Sequence, residues 1–177
     1  MLTEAAQRVE LVFTLFDANR NGVIEAEDIE LMSTRVVEAA TESDESAKQA
    51  VRAAFRRYWT TLERELDADG DGVVSREEFR GFVLAPELFG PTADEFAEAL
   101  AALGDPDGDG LVERPLFLTL MTAIGFEPAN TDALFDAFGP TPDDRITVAT
   151  WADGIRDFYS PDKAGIPGDR LVGHPAA

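Results

Sequence analysis

Three twelve-residue segments of this chain repeat one frame: an oxygen-bearing side chain at positions 1, 3 and 5, glycine at 6, and an aliphatic residue at 8. They run from Asp17 to Asp28, Asp67 to Glu78 and Asp105 to Leu116. A fourth, Gly139 to Thr150, keeps the aliphatic residue as Ile146 but has lost most of the oxygens. The segments start 50, 38 and 34 residues apart, the spacing of a supersecondary unit repeated along a chain. Any fold for this chain must accommodate four copies of one loop.

The spacing has a chemical reason. Ca²⁺ is a hard cation that takes roughly six to eight oxygens at about 2.3–2.6 Å, and a tight loop turns side chains 1, 3 and 5 inward. Position 6 must turn sharply with positive φ, which glycine tolerates; Gly22, Gly72 and Gly110 stand there. Position 7 offers a backbone carbonyl (Val23, Val73, Leu111), and position 9 a side chain or a water. Position 8 (Ile24, Val74, Val112, Ile146) is where two loops can pair through a short strand. Position 12 opens the exiting helix and closes the shell, best with a bidentate Glu.

Charge agrees with that reading. The 177 residues carry 35 Asp and Glu against 15 Lys and Arg, a net charge of −20, much of it inside the repeated loops. Such a field repels phosphate backbones and anionic lipid, so neither nucleic acid nor a membrane is an expected partner. With no cysteine and a single histidine, His174, thiolate zinc sites and histidine-based catalysis are excluded. A metal-assisted enzyme would need an open coordination position beside a general base. The carboxylates able to serve are already assigned as ligands, so no enzymatic activity is expected. An acidic N-terminus is unlike a signal peptide, and no stretch approaches the roughly 18 apolar residues of a membrane span. A soluble, cytoplasmic monomer is expected.

Helical flanks complete each unit. Val9, Val12, Phe13 and Phe16 lead into the first loop and Ile29 and Met32 follow it; Phe55, Tyr58, Trp59 and Leu62 lead into the second, with Phe79, Phe82 and Val83 after. Phe96, Leu100 and Leu103 precede the third and Phe117 and Leu120 follow; Leu134, Phe135 and Phe138 precede the fourth, followed by Trp151, Ile155 and Phe158. All recur at helical spacing. The second entering helix is predicted over about 45–66. Two prolines in 84–92 mark a junction, with a helix start predicted at the Thr92–Glu95 capping box.

These residues resemble a four-EF-hand protein over positions 5 to 160. Among EF-hand families the chain is similar to the sarcoplasmic calcium-binding protein and calerythrin family. The long gap between the first two loops, Asp28 closing loop one, Arg156-Asp-Phe-Tyr159 and the stretch from Pro167 to His174 carry that likeness. The resemblance implies an all-α fold with four helix-loop-helix units and short loop–loop β pairings. The expected division is an N-terminal pair over 1–90 (loops 17–28 and 67–78) and a C-terminal pair over 91–160 (loop 105–116 and degenerate loop 139–150). An extended tail over 161–177 follows, which the resemblance packs against the lobes. The chain departs from the family in one respect: the second loop is its best preserved, whereas the family more often keeps the third.

The loops are unequal. Loop two matches every ligand position with Asp67, Asp69, Asp71, Val73, Ser75 and Glu78. Loop one offers Asp17, Asn19, Asn21, Val23, Glu25 and Asp28; the shorter Asp28 favours one-oxygen ligation, so Mg²⁺ should compete there with Ca²⁺. Loop three has Asp105, Asp107, Asp109, Leu111 and Glu113 but Leu116 at position 12, which makes it a third, weaker candidate. Loop four is expected to be metal-free. Two calcium sites are expected, with loop three a possible third; only three methionines suit a Ca²⁺/Mg²⁺ buffer, since sensor grooves favour methionine. The alternative is a sensor that exposes an apolar groove to a target protein's helix, and the inequality of the loops favours it.

Overall fold

The computed structural model describes residues 2–67 and 69–173; His174 and the last residues of the expected tail lie outside the described residues. The helices are α1 (Thr3–Phe16), α2 (Ala26–Ala39), α3 (Glu45–Leu66), α4 (Arg76–Val83), α5 (Pro86–Leu103), α6 (Arg114–Ile124), α7 (Pro128–Ala137) and α8 (Val148–Phe158). Between them lie the two-residue strands β1 (Val23–Ile24) and β2 (Val74–Ser75) and the three-residue strands β3 (Leu111–Glu113) and β4 (Arg145–Thr147). The fold is all-α, with two EF-hand lobes and one antiparallel strand pair in each.

Position 8 does what its aliphatic character requires. Ile24 pairs with Val74 and Val112 with Ile146, and all four side chains are buried. The aromatic flanks form the core beneath them. Phe117 packs edge-on against Phe135 and Trp151, with ring centroids 5.1 and 4.8 Å apart. Tyr58 of α3 sits among Phe16, Phe89 and Phe96 at 5.1, 5.0 and 5.6 Å. That cluster draws residues from both sides of the 84–92 junction into one interior.

The junction itself corrects one sequence expectation. Helix α5 begins at Pro86, and Thr92 lies inside it, buried, with its hydroxyl 3.0 Å from that of Thr61; the Thr92–Glu95 capping box does not form. Pro86 occupies the first helical turn, where a missing N–H costs nothing. Pro91 falls one turn later, inside the helix. Burial of Phe89, Ala93, Phe96, Ala97 and Leu100 at helical spacing outweighs the lost hydrogen bond.

The tail is packed as far as Gly173. A 3₁₀ helix (Pro167–Val172) follows α8, and Leu171 is buried. Its anchor is Arg8 of α1, a fully buried arginine. Arg8 Nε donates to the Phe158 carbonyl at 2.8 Å, and Nη1 to Asp169 Oδ1 at 2.5 Å. Nη2 donates to the carbonyls of Ser160 and Lys163 at 2.9 and 3.0 Å. A buried guanidinium is tolerable only when its donors are met in this way. Gly168 is required by proximity: a Cβ there would stand 2.9 Å from the Phe158 ring.

Candidate metal centres

Each loop is first organised by its own backbone. In loop two, Asp67 accepts from the amides of Asp71 and Gly72, both at 2.8 Å. Asp69 accepts from Asp71 N at 3.2 Å, and Asp71 from Val73 N at 3.0 Å. These turns depend on Gly72 at φ +76°. The result brings one carboxylate oxygen from each of Asp67, Asp69 and Asp71 within 4.8 Å of one another. The amide of Gly72, with those of its neighbours, holds the Asp67 carboxyl below the usual carboxylate range. At position 12, Glu78 Oε2 accepts from Ser75 N at 2.9 Å and Ser75 Oγ at 2.7 Å, bonds that also depress its pKa. Its Oε1 accepts no hydrogen bond among the described residues. A hard cation finds here the all-oxygen, strongly anionic donor set it prefers.

Loop one has the same backbone frame with neutral side chains, Asn19 and Asn21, at positions 3 and 5. Asn21 N and Gly22 N donate to Asp17 at 3.0 and 2.9 Å. The amide nitrogens of Asn19 and Asn21 converge on Glu25 Oε1 at 2.9 and 3.2 Å, so positions 3, 5 and 9 are brought together. Asp28 is buried, and both oxygens are engaged: Oδ1 by Asn19 N at 3.0 Å and Oδ2 by Glu25 N at 3.1 Å. A carboxylate one methylene shorter than Glu thus ties the loop's start to its end.

Loop three assembles Asp105, Asp107 and Asp109 as loop two assembles its trio, with ligand oxygens within 4.8 Å of one another. Position 12 differs: Leu116 packs against the hydrophobic core. A hollow of about 340 Å³ lies beside the loop, lined by Asp107, Asp109, Glu113, Leu116 and also Glu42. Glu42 belongs to the connection between α2 and α3, which is pinned here by Ser43 Oγ donating to the Leu103 carbonyl at 2.7 Å. Sequence reasoning missed Glu42, because nothing local relates that connection to a loop some 60 residues on.

Two arginines also escaped notice. Arg114 bonds Asp144 through Nε at 2.9 Å, Asp132 at 2.6 Å and Asp136 at 2.7 Å; its hydrogen bond holds the Asp144 carboxyl low. Arg145 reaches Asp109 Oδ2 and Asp143 Oδ2, each at 3.4 Å. The strand register carried a signal for Arg145, because position 7 of one loop faces position 9 of its partner. Loop four gathers no comparable trio among the described residues.

Residues 7–84 match the EF-hand domain pair family. Calerythrin of Saccharopolyspora erythraea is 22% identical over 166 residues, 88% of this chain and 92% of calerythrin. A Streptomyces coelicolor calcium-binding protein superposes with a TM-score of 0.71 at 23% identity, covering 88% of this chain and 98% of that one. A sarcoplasmic calcium-binding protein from amphioxus superposes at 0.70 with 19% identity, over 99% and 100% of the two chains. The oxygen-lined loops, the paired strands and these likenesses agree: residues 7–84 are an EF-hand domain pair, and the chain as a whole resembles the sarcoplasmic calcium-binding protein and calerythrin family.

Proposed function

We propose that the protein is a cytoplasmic, monomeric Ca²⁺ buffer that exchanges Ca²⁺ for Mg²⁺ without catalysing a reaction. In this reading loop two binds most tightly through Asp67, Asp69, Asp71, the Val73 carbonyl, Ser75 and Glu78. Loop one binds through Asp17, Asn19, Asn21, the Val23 carbonyl, Glu25 and Asp28, and accepts Mg²⁺. Loop three is a weaker site at Asp105, Asp107, Asp109, the Leu111 carbonyl and Glu113. The pairs 1–90 and 91–160 are the binding units, and 161–177 is the tail.

One observation carries the buffer reading: the Arg8 clasp on the tail. Leu171 and Gly168 cover an apolar cavity of about 60 Å³ whose walls include Leu15, Phe138 and Phe158. A sensor would offer such a surface to a partner helix; here the chain's own segment Pro167–Val172 lies on it. Large exposed apolar side chains among the described residues are Leu2, Leu31 and Leu88, single residues on separate segments.

The sensor reading keeps two supports. The Streptomyces coelicolor neighbour is described in terms of calcium-mediated regulation, and a sensor tolerates unequal loops. A Ca²⁺ titration in millimolar Mg²⁺, read by calorimetry and by a hydrophobic dye, separates the two. Filling without a rise in dye fluorescence is the buffer's outcome. Filling with a large rise would establish the sensor and start the search for its target helix.

A further inference from the structure

The two strand pairs are built to one register, and one residue breaks the equivalence. Val23 faces Ser75, position 9 of loop two; Arg145 faces Glu113, position 9 of loop three. Where loop two meets a methyl surface, loop three meets a cation. We infer that Arg145 is a tethered competitor for the third loop's cation site: its guanidinium holds the Asp109 arm, and a divalent ion fills the loop only by displacing it. The inference rests on the reading of loop three as a weak cation site.

The contacts favour displacement. Asp109 Oδ1 is fixed by Leu111 N at 2.8 Å, leaving Oδ2 to Arg145. Both ion-pair contacts of Arg145 are long, at 3.4 Å, and its Nε is buried without a hydrogen-bond partner among the described residues. Arg114, by contrast, is held at 2.6–3.0 Å by three carboxylates. Buried, unpaired N–H groups are unfavourable, so Arg145 gains hydration when it swings out. The competitor is weakly seated, as an exchangeable counter-ion must be. It also acts independently of Leu116, which removes a ligand rather than adding a charge.

The test is a calorimetric Ca²⁺ titration of the full chain, stripped with a chelator, in five forms: wild type, Arg145→Val, Arg145→Lys, Leu116→Glu and the Arg145→Val/Leu116→Glu double variant. Valine suits a strand and copies Val23. In Arg145→Val the weakest binding event should tighten about tenfold, the scale expected for a unit charge a few ångströms from a divalent ion in a screened, water-like site. Arg145→Lys should leave that event where it is, and the two tighter events should not move in either. A sixth form, Arg145→Val combined with Asp105→Asn, should lose the gain, locating it in loop three. An unchanged weak event in Arg145→Val, with Leu116→Glu tightening it, would overturn the competitor. So would an equal gain in Arg145→Lys, which would indicate packing rather than charge. If no third event appears in any form, the double variant included, loop three is not a site and the inference falls with it.

Discussion

In loops one and two, no arginine or lysine among the described residues pairs with a side chain at a ligand position; in loops three and four, Arg145 reaches Asp109. Around the strand pairs the two halves share one further feature. Position 10 is arginine in both loop two and loop three, and each guanidinium stacks on the phenylalanine of an entering helix. Arg76 lies 4.4 Å from the Phe13 ring centroid and Arg114 lies 4.5 Å from that of Phe135. Their ion pairs diverge. Arg76 pairs with Glu10 of α1, outside both loops, whereas Arg114 gathers Asp132, Asp136 and Asp144. An acidic loop must be neutralised to be stable, and this chain uses two solutions. The C-terminal pair supplies positive charge from its own sequence; in the function proposed above, the N-terminal pair leaves its carboxylates to an external cation.

The strongest test of how separate the pairs are is Arg8, which fastens α1 of the first pair to the segment after the second. Arg8→Met should lower stability to chemical denaturation by about 3 kcal/mol, because it leaves several acceptors without their buried donor. It should also raise binding of a hydrophobic dye. A loss under about 1 kcal/mol would mean that Arg8 behaves like a surface pair and that the tail is not held by it.

Glu78→Gln strikes the asymmetry directly. It should weaken the tightest Ca²⁺ event by about two orders of magnitude, since ligand charge sets EF-hand affinity. An unchanged titration would move the dominant site out of loop two.

The tyrosines report on the contact between the pairs. The chain has two, Tyr58 and Tyr159, both buried, with hydroxyls 3.1 Å apart. Burial pushes Tyr159 up to about 12 and Tyr58 well above its ordinary value, with the neighbouring Tyr159 adding to the second shift. A folded-state pKa raised above that of the unfolded chain, about 10, stabilises fully below pH 10 and is lost as pH rises towards 12. Stability should therefore decline over that window, and phenolate absorbance should stay low at pH 10–11. Half-ionisation near pH 10 in the folded protein would mean that the interface is open to water.

Asp28→Glu should have the smallest effect, a shift of a few-fold in loop one's preference from Mg²⁺ towards Ca²⁺, read by competition calorimetry. A shift towards Mg²⁺ would count against the shell-size argument and sharpen the role of Asp28 as a tie to Asn19 and Glu25.

The sequence made the loops and their flanks legible because their requirements are local. Liganding positions, a positive-φ glycine and an aliphatic position 8 all lie within twelve residues, and the predicted helix over about 45–66 matches α3 at Glu45–Leu66. The start of α5 was misjudged because Pro86 and Pro91 read as breaks, while the buried stripe from Phe89 to Leu100 that overrides them acts through tertiary packing. Glu42, Arg8 and Arg114 were invisible for the same reason: their partners are distant in sequence. Arg145 was half legible, since register fixes its neighbour across the strand pair but not the direction of its side chain.

The central claim is that cation binding concentrates in the N-terminal pair. Following the backbone amides of Gly22, Gly72 and Gly110 by NMR through a Ca²⁺ titration tests it most directly, because each donates to the position-1 aspartate of its own loop, at 2.8–2.9 Å. Gly72 and Gly22 should respond first, with Gly110 following only after both are saturated. Gly110 moving together with Gly72, or ahead of it, would contradict the claim.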